Sequence, residues 1–111
     1  MDISFDDPRH EKLANDFHAL SKKYDKRGRK VAAEIITTLN VLYAANSLYD
    51  VPRACRPHPL KGNYKGCFAV DVTNTHRVIF KPNHKDDPNF RIDNYKSIVS
   101  ISIVEIYTDY H

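Results

Sequence analysis

Two histidines stand in positions where a chain can use them. His58 is enclosed by Pro57 and Pro59, and His111 closes the sequence behind Asp109 and Tyr110. Imidazole, with an unperturbed pKa of ~6.5, takes or gives a proton near neutrality, so two of them in one site can divide base and acid roles. Asp109 can orient or polarise one ring. Tyr110 can donate a hydrogen bond or stack on a base. The α-carboxylate of His111 sits on the same residue as its ring and favours the imidazolium, which marks His111 as the expected proton donor. Four cations complete the set: Arg77 within an alternating apolar stretch, and Arg56, Lys61 and Lys65 around His58. An arginine held on a strand presents a planar fork suited to phosphate.

Histidines, a carboxylate, a phenol and cations, without metal-ligand spacing or a glycine-rich nucleotide loop, fit RNA cleavage that needs no metal or other cofactor. There the 2′-hydroxyl attacks the neighbouring phosphate. The site must deprotonate that hydroxyl, offset charge on phosphorus and protonate the departing 5′-oxygen. Positioned acid–base groups contribute ~100 to 10,000-fold, and cations aimed at the developing charge add to that. Each residue taken alone has a plainer reading. A histidine between prolines can be a turn residue, a terminal histidine a chain end, a strand arginine a paired surface group, and Tyr110 a packing residue.

The elements that must position these groups are legible in the periodicity. Asp2–Phe5 reads as a short first strand. Asp6-Asp7-Pro8 reads as a helix start, with a capping carboxylate and proline in the first turn. Leu13, Phe17, Leu20 and Tyr24 then give one helical face, ended by the cluster Asp25 to Arg29. Val31, Ile35, Leu39 and Leu42, widened by Ile36 and Tyr43, predict a second helix from about Lys30 to Asn46, so that the two form a helical hairpin. Ser47 to Gly66 resists helix through Pro52, Pro57 and Pro59, and reads as an ordered loop. Cys67–Val72 and His76–Lys81 alternate around the turn Thr73-Asn74-Thr75, with Val78 and Phe80 on one face and Arg77 and Ile79 on the other. Pro82 to Ser97 reads as a long surface loop. Ile98 to Tyr107 is the last strand. The order strand, helix, helix, three strands predicts an α+β fold, a helical pair on one face of a mainly antiparallel sheet.

With 111 residues and 41% hydrophobic content, the sequence suits one domain spanning 1–111. No apolar run approaches the ~20 residues of a membrane span, and the acidic start lacks the form of a secretory signal, so no membrane association and a cytoplasmic location are expected. Cys55 and Cys67 fit reduced thiols. Net charge is only +3 but is clustered. Lys22, Lys23, Lys26, Arg27, Arg29 and Lys30 face one acid, Asp25, and Arg53 to Lys65 holds no acid at all. Such clusters suit a polyanion or a solvated loop.

HPLKG at His58–Gly62, Lys65-Gly66, the strand Arg77-Val-Ile-Phe80 and the closing Asp-Tyr-His together resemble the HigB-type toxins of the RelE/ParE superfamily, the plasmid-maintenance killer proteins. The likeness covers about Arg56 to Phe80 and Val104 to His111 by motif, and the helices by pattern. It implies a RelE-like fold and a ribosome-dependent messenger-RNA endoribonuclease. It implies His58, Asp109, Tyr110 and His111 as the functional set, with Arg77 as a phosphate ligand and Lys61 as a weaker one. The implied partner is a HigA-like helix-turn-helix antitoxin, through which the pair meets operator DNA. This chain is longer than the short members, by its helical region and Pro82 to Ser97. His76 stands where short members often carry tryptophan, and is expected to face away from Arg77 in a structural role; a bend of the strand by the loop would make it a third candidate histidine. Two other readings share the superfold: a ParE-like gyrase poison without catalysis, and a degenerate toxin acting only as its antitoxin's co-repressor.

Overall fold

The computed structural model describes residues 1–109. Among the described residues five strands form one sheet: β1 (Asp2–Phe5), β2 (His58–Pro59), β3 (Phe68–Asp71), β4 (Arg77–Pro82) and β5 (Ser100–Thr108), in the order β1-β5-β4-β3-β2. β1 pairs in parallel with β5, and β2 with β3, β3 with β4 and β4 with β5 are antiparallel. The helices are α1 (Pro8–Ala14), α2 (Phe17–Tyr24) and α3 (Ala32–Ala44). The expected α+β architecture holds. Among the described residues, no helix is long and apolar enough to cross a membrane.

The alternation of β3 and β4 decides the layering. Phe68, Val70, Val78 and Phe80 point to the helices and join Leu20, Ile35, Leu39 and Leu42, with Ile101, Ile103 and Ile106 from β5, in the main core. The opposite face carries a smaller cluster of Leu60, Ala69 and Ile79, packed with Tyr64, Cys67 and Val104. This second face is the one that carries Arg77.

The expected helical hairpin is instead three helices. The first predicted helix breaks at Asn15-Asp16, where Asp16 leaves helical geometry and its carboxylate accepts the Ala19 N–H at 3.1 Å, capping α2. The break rotates Phe17 off the buried stripe, and it stands 53% exposed. Tyr43, read as widening the α3 stripe, is likewise 54% exposed. Between α2 and α3, Lys26 and Arg29 pair around Arg27 and Gly28. Both turn residues have positive φ, 52° and 80°, as a two-residue hairpin turn requires. Asp25 locks the junction by accepting from Ser21 Oγ at 2.6 Å and Ala32 N at 2.8 Å. The Ser21 hydroxyl and then the Ala32 amide hold its carboxyl below the usual range.

β5 is irregular in a way the periodicity did not reveal. Phe80 pairs Ile103, Ile79 pairs Glu105 and Arg77 pairs Thr108, so the register slips twice within three residues of β4. Each slip is a β-bulge, one extra residue on β5.

Candidate functional site

His58 is held by backbone on both sides. The turn Arg53–Cys55 ends on Arg56 in the left-handed region, φ 53°, ψ 55°, a conformation that strains a residue with a Cβ. The Arg56 carbonyl lies 2.6 Å from His58 Nδ1. A carbonyl only accepts, so Nδ1 carries the proton, and in the neutral ring Nε2 is left as the proton acceptor. Residues 58–59, expected as loop, form the short edge strand β2, with His58 opposite Ala69. Leu60 N donates to the Cys67 carbonyl at 2.9 Å, closing the loop that carries Lys61 and Lys65. Tyr64 of this loop packs on Leu60, Ala69 and Ile79.

Paired residues share a face, so the register sets the site out in rows. One row runs His58, Ala69, Ile79, Glu105 across β2 to β5. The next row runs Asp71, Arg77, Thr108, with Arg56 at the edge beside Asp71. His58 and Arg77 therefore occupy the same face, about 12 Å apart at Cα from two interstrand spacings and one two-residue step. Asp109 follows Thr108 at the end of the sheet that carries Arg77. His58 and Thr108 lie on strands separated by two others, roughly 14 Å laterally. Tyr110 and His111 lie outside the described residues, and with them the expectation that the last three side chains fold back onto the proline-bounded loop.

Arg77 is not a solvated strand arginine. Its side chain is only 9% exposed, its Nε lies 3.3 Å from Asp71 Oδ1, and Arg56 Nε lies 3.6 Å from Asp71 Oδ2. The Arg77–Asp71 pair is within ion-pair distance but outside hydrogen-bonding geometry, and Arg77 Nη1 has no partner among the described residues. The unmet donor is buried, so it is only through the small exposed part of its side chain that Arg77 could meet an oxyanion. The sequence reading missed Asp71. A signal was present, because residues 71 and 77 are equidistant from Asn74, the middle of the expected turn. It also missed Tyr64, which only the closed loop brings over Ile79.

His76 has the structural place expected of it. Its ring stacks on Tyr107 at 4.2 Å and 8°, Tyr107 meets Tyr24 of α2 edge-on, and its Nδ1 lies 2.7 Å from Thr75 Oγ1. Burial pushes both thiols, Cys55 and Cys67, up from their ordinary range, which disfavours a thiolate nucleophile. The basic turn between α2 and α3 reaches the same end of the sheet. Arg29 and Lys30 line a cavity of about 570 Å³ with Thr73, Asn74 and Thr75 of the β3–β4 turn.

No family model matches the chain, and no curated protein does. Solved structures do. The YoeB-YefM complex from Staphylococcus aureus superposes with a TM-score of 0.54 at 19% identity, covering 100% of this chain and 97% of that one. A heterotetrameric YoeB-YefM toxin-antitoxin complex from the same organism gives 0.54 at 16%, with the same coverage. A YoeB/ParE toxin from Agrobacterium tumefaciens gives 0.53 at 15%, covering 100% of both chains. Built from its own strand order and register, the chain has the α+β fold of the RelE/YoeB-like toxins.

Proposed function

We propose that this chain is the toxin of a type II toxin–antitoxin pair and cleaves messenger RNA on the ribosome by metal-free acid–base chemistry. The observation that carries the reading is the shared face. His58, with Nε2 available, and the Arg77 guanidinium, with Nη1 unmet, lie on the helix-free side of the sheet at the end to which β5 delivers Asp109. Of the fold neighbours, one is described as a toxin-antitoxin complex and another as a toxin. The motif set HPLKG, RVIF and DYH adds the HigB-type branch and a HigA-like partner to this reading.

In the proposed step, His58 Nε2 takes the 2′-hydroxyl proton and the 2′-oxygen forms a bond to phosphorus. The phosphorus–O5′ bond breaks, and His111 gives its proton to the departing oxygen. The products are a 2′,3′-cyclic phosphate and a 5′-hydroxyl. Arg77 donates to the non-bridging oxygens as charge accumulates, and Arg56, Lys61 and Lys65 hold the flanking backbone. Asp109 and Tyr110 orient the acid and the base being cut.

Transcript 5′ ends mapped after induction test the proposal. The wild-type protein is expected to cut within translated messages, and His58→Ala to lower the rate by about 100 to 10,000-fold while still binding the antitoxin. Undiminished cleavage by His58→Ala overturns the assignment. The fold is shared with a protein described as YoeB/ParE, so a non-catalytic gyrase poison is the second reading. A DNA-damage response with intact transcripts would select it. Tighter operator binding by the antitoxin with no growth defect would select a co-repressor.

A further inference from the structure

We infer that Asp71 is a positioning residue: it fixes the Arg77 fork for a phosphate and balances the charge of Arg56 and Arg77 until that phosphate arrives. The inference rests on the RNA-cleavage reading of the same face. Asp71 is the carboxylate between two guanidiniums, 3.3 Å from Arg77 Nε and 3.6 Å from Arg56 Nε. Its side chain is 19% exposed, that of Arg56 66% and that of Arg77 9%. The residue charged with holding the buried arginine is therefore itself largely shielded, while the outer arginine is mostly exposed.

The geometry is incomplete in an informative way. A carboxylate facing an arginine ordinarily engages it through two parallel hydrogen bonds. Here Asp71 reaches only the Nε side, without hydrogen-bonding geometry, and both Asp71 Oδ1 and Arg77 Nη1 are buried without a hydrogen-bond partner among the described residues. Asp71 thus restrains Arg77 from its Nε side and leaves the buried Nη1 without a hydrogen bond. The hairpin makes the restraint possible, because Asp71 and Arg77 are directly paired across β3 and β4.

Such a residue acts on binding and rate with opposite signs. Its negative charge repels a phosphate close to two guanidiniums, which weakens ground-state binding. Its hold on Arg77 aims the fork at the charge that develops in the transition state, which raises the rate. A carboxylate with a purely architectural role would alter stability without splitting the two constants.

Single-turnover cleavage on messenger-programmed ribosomes, with the toxin in excess, separates maximal rate from half-saturating concentration. Asp71→Asn is expected to lower the maximal rate about tenfold and to lower the half-saturating concentration several-fold. Wild-type values for both, or a raised half-saturating concentration, overturn the inference. Where Asp71→Asn does not fold, Asp71→Glu carries the test: it keeps the charge and displaces the carboxylate, so the rate falls with half-saturation unchanged, and an unchanged rate overturns the inference.

A second arm needs no cleavage. The Arg77 Nε–H resonance of the full chain is followed by ¹⁵N NMR during titration with inorganic phosphate. Asp71→Asn should shift that resonance and tighten the phosphate response; an unmoved resonance and response overturn the inference. A wild-type protein that cuts no RNA yet shows this phosphate behaviour would sink the cleavage reading and leave the role of Asp71 standing.

Discussion

Asp7 and Asp71 each face an arginine, and their surroundings give the pairs different consequences. Asp7 caps α1 by accepting the Arg9 N–H at 2.9 Å, and its second oxygen meets Arg9 Nη2 at 2.8 Å. The Arg9 side chain and then its amide hold the Asp7 carboxyl down to about 2. A carboxyl whose folded pKa lies below its unfolded value of ~3.9 stabilises the fold above that value, and the contribution is lost as pH falls. The melting-temperature difference between wild type and Asp7→Asn is therefore expected to be constant near neutrality, to shrink between about pH 4 and pH 2 and to vanish below pH 2. A difference as large at pH 2 as at neutrality would show that Asp7 acts through its cap geometry alone. Asp7 is a surface group with its hydrogen bonds met, so its effect is confined to stability. Asp71 is shielded and leaves Oδ1 without a hydrogen bond, and the role inferred for it is to place Arg77 for a phosphate.

At the scale of elements, the residue that organises the 83–99 loop is His84. Its side chain is almost fully buried, its Nε2 accepts the Val99 and Ser100 N–H groups at 3.0 and 3.1 Å, and its ring stacks on Phe90 at 4.9 Å. Nδ1 lies 3.2 Å from Asp87, which fixes the tautomer. His84→Ala strands two donors at the start of β5. Amide exchange at Val99 and Ser100 should quicken roughly tenfold or more, while Ile103 and Ile106 keep their protection. Uniform loss across β5 would mean that the loop and strand unfold together. The helix-break at Asp16, the two bulges and this loop share one reason for escaping a reading of periodicity. Each is set by polar side-chain to backbone bonds or by register, and neither leaves a hydrophobic repeat. The strands, the α3 stripe and the opposed faces of Arg77 and Val78 were legible because alternating apolar residues have only one way to bury. His58 and Arg77 stand out in the sequence as candidates by residue type. Asp71 does not, because a strand carboxylate looks solvated until its partner across the hairpin is known.

At the scale of the molecule, charge gathers at one end. The α2–α3 turn brings Arg29 and Lys30 against the β3–β4 turn, next to the strand that begins with Arg77. A strand of RNA lying there would displace counterions from this turn. Replacing Lys26, Arg27 and Lys30 by Gln should reduce the slope of log affinity against log salt by about two, at ~0.7 per lost phosphate contact. An unchanged slope would assign the turn to solvent.

The two bulges have a further consequence. In even register Arg77 would face Ile106, and Thr108 would overhang the sheet by two positions, about 7 Å. The extra residues take up that slack and set Thr108 opposite Arg77. Spacing counted along β5 therefore measures nothing on its own, because two of the residues between Ile103 and Thr108 have no counterpart on β4. Relatives should be compared by the residue each presents beside that arginine, not by the letters that end their sequences.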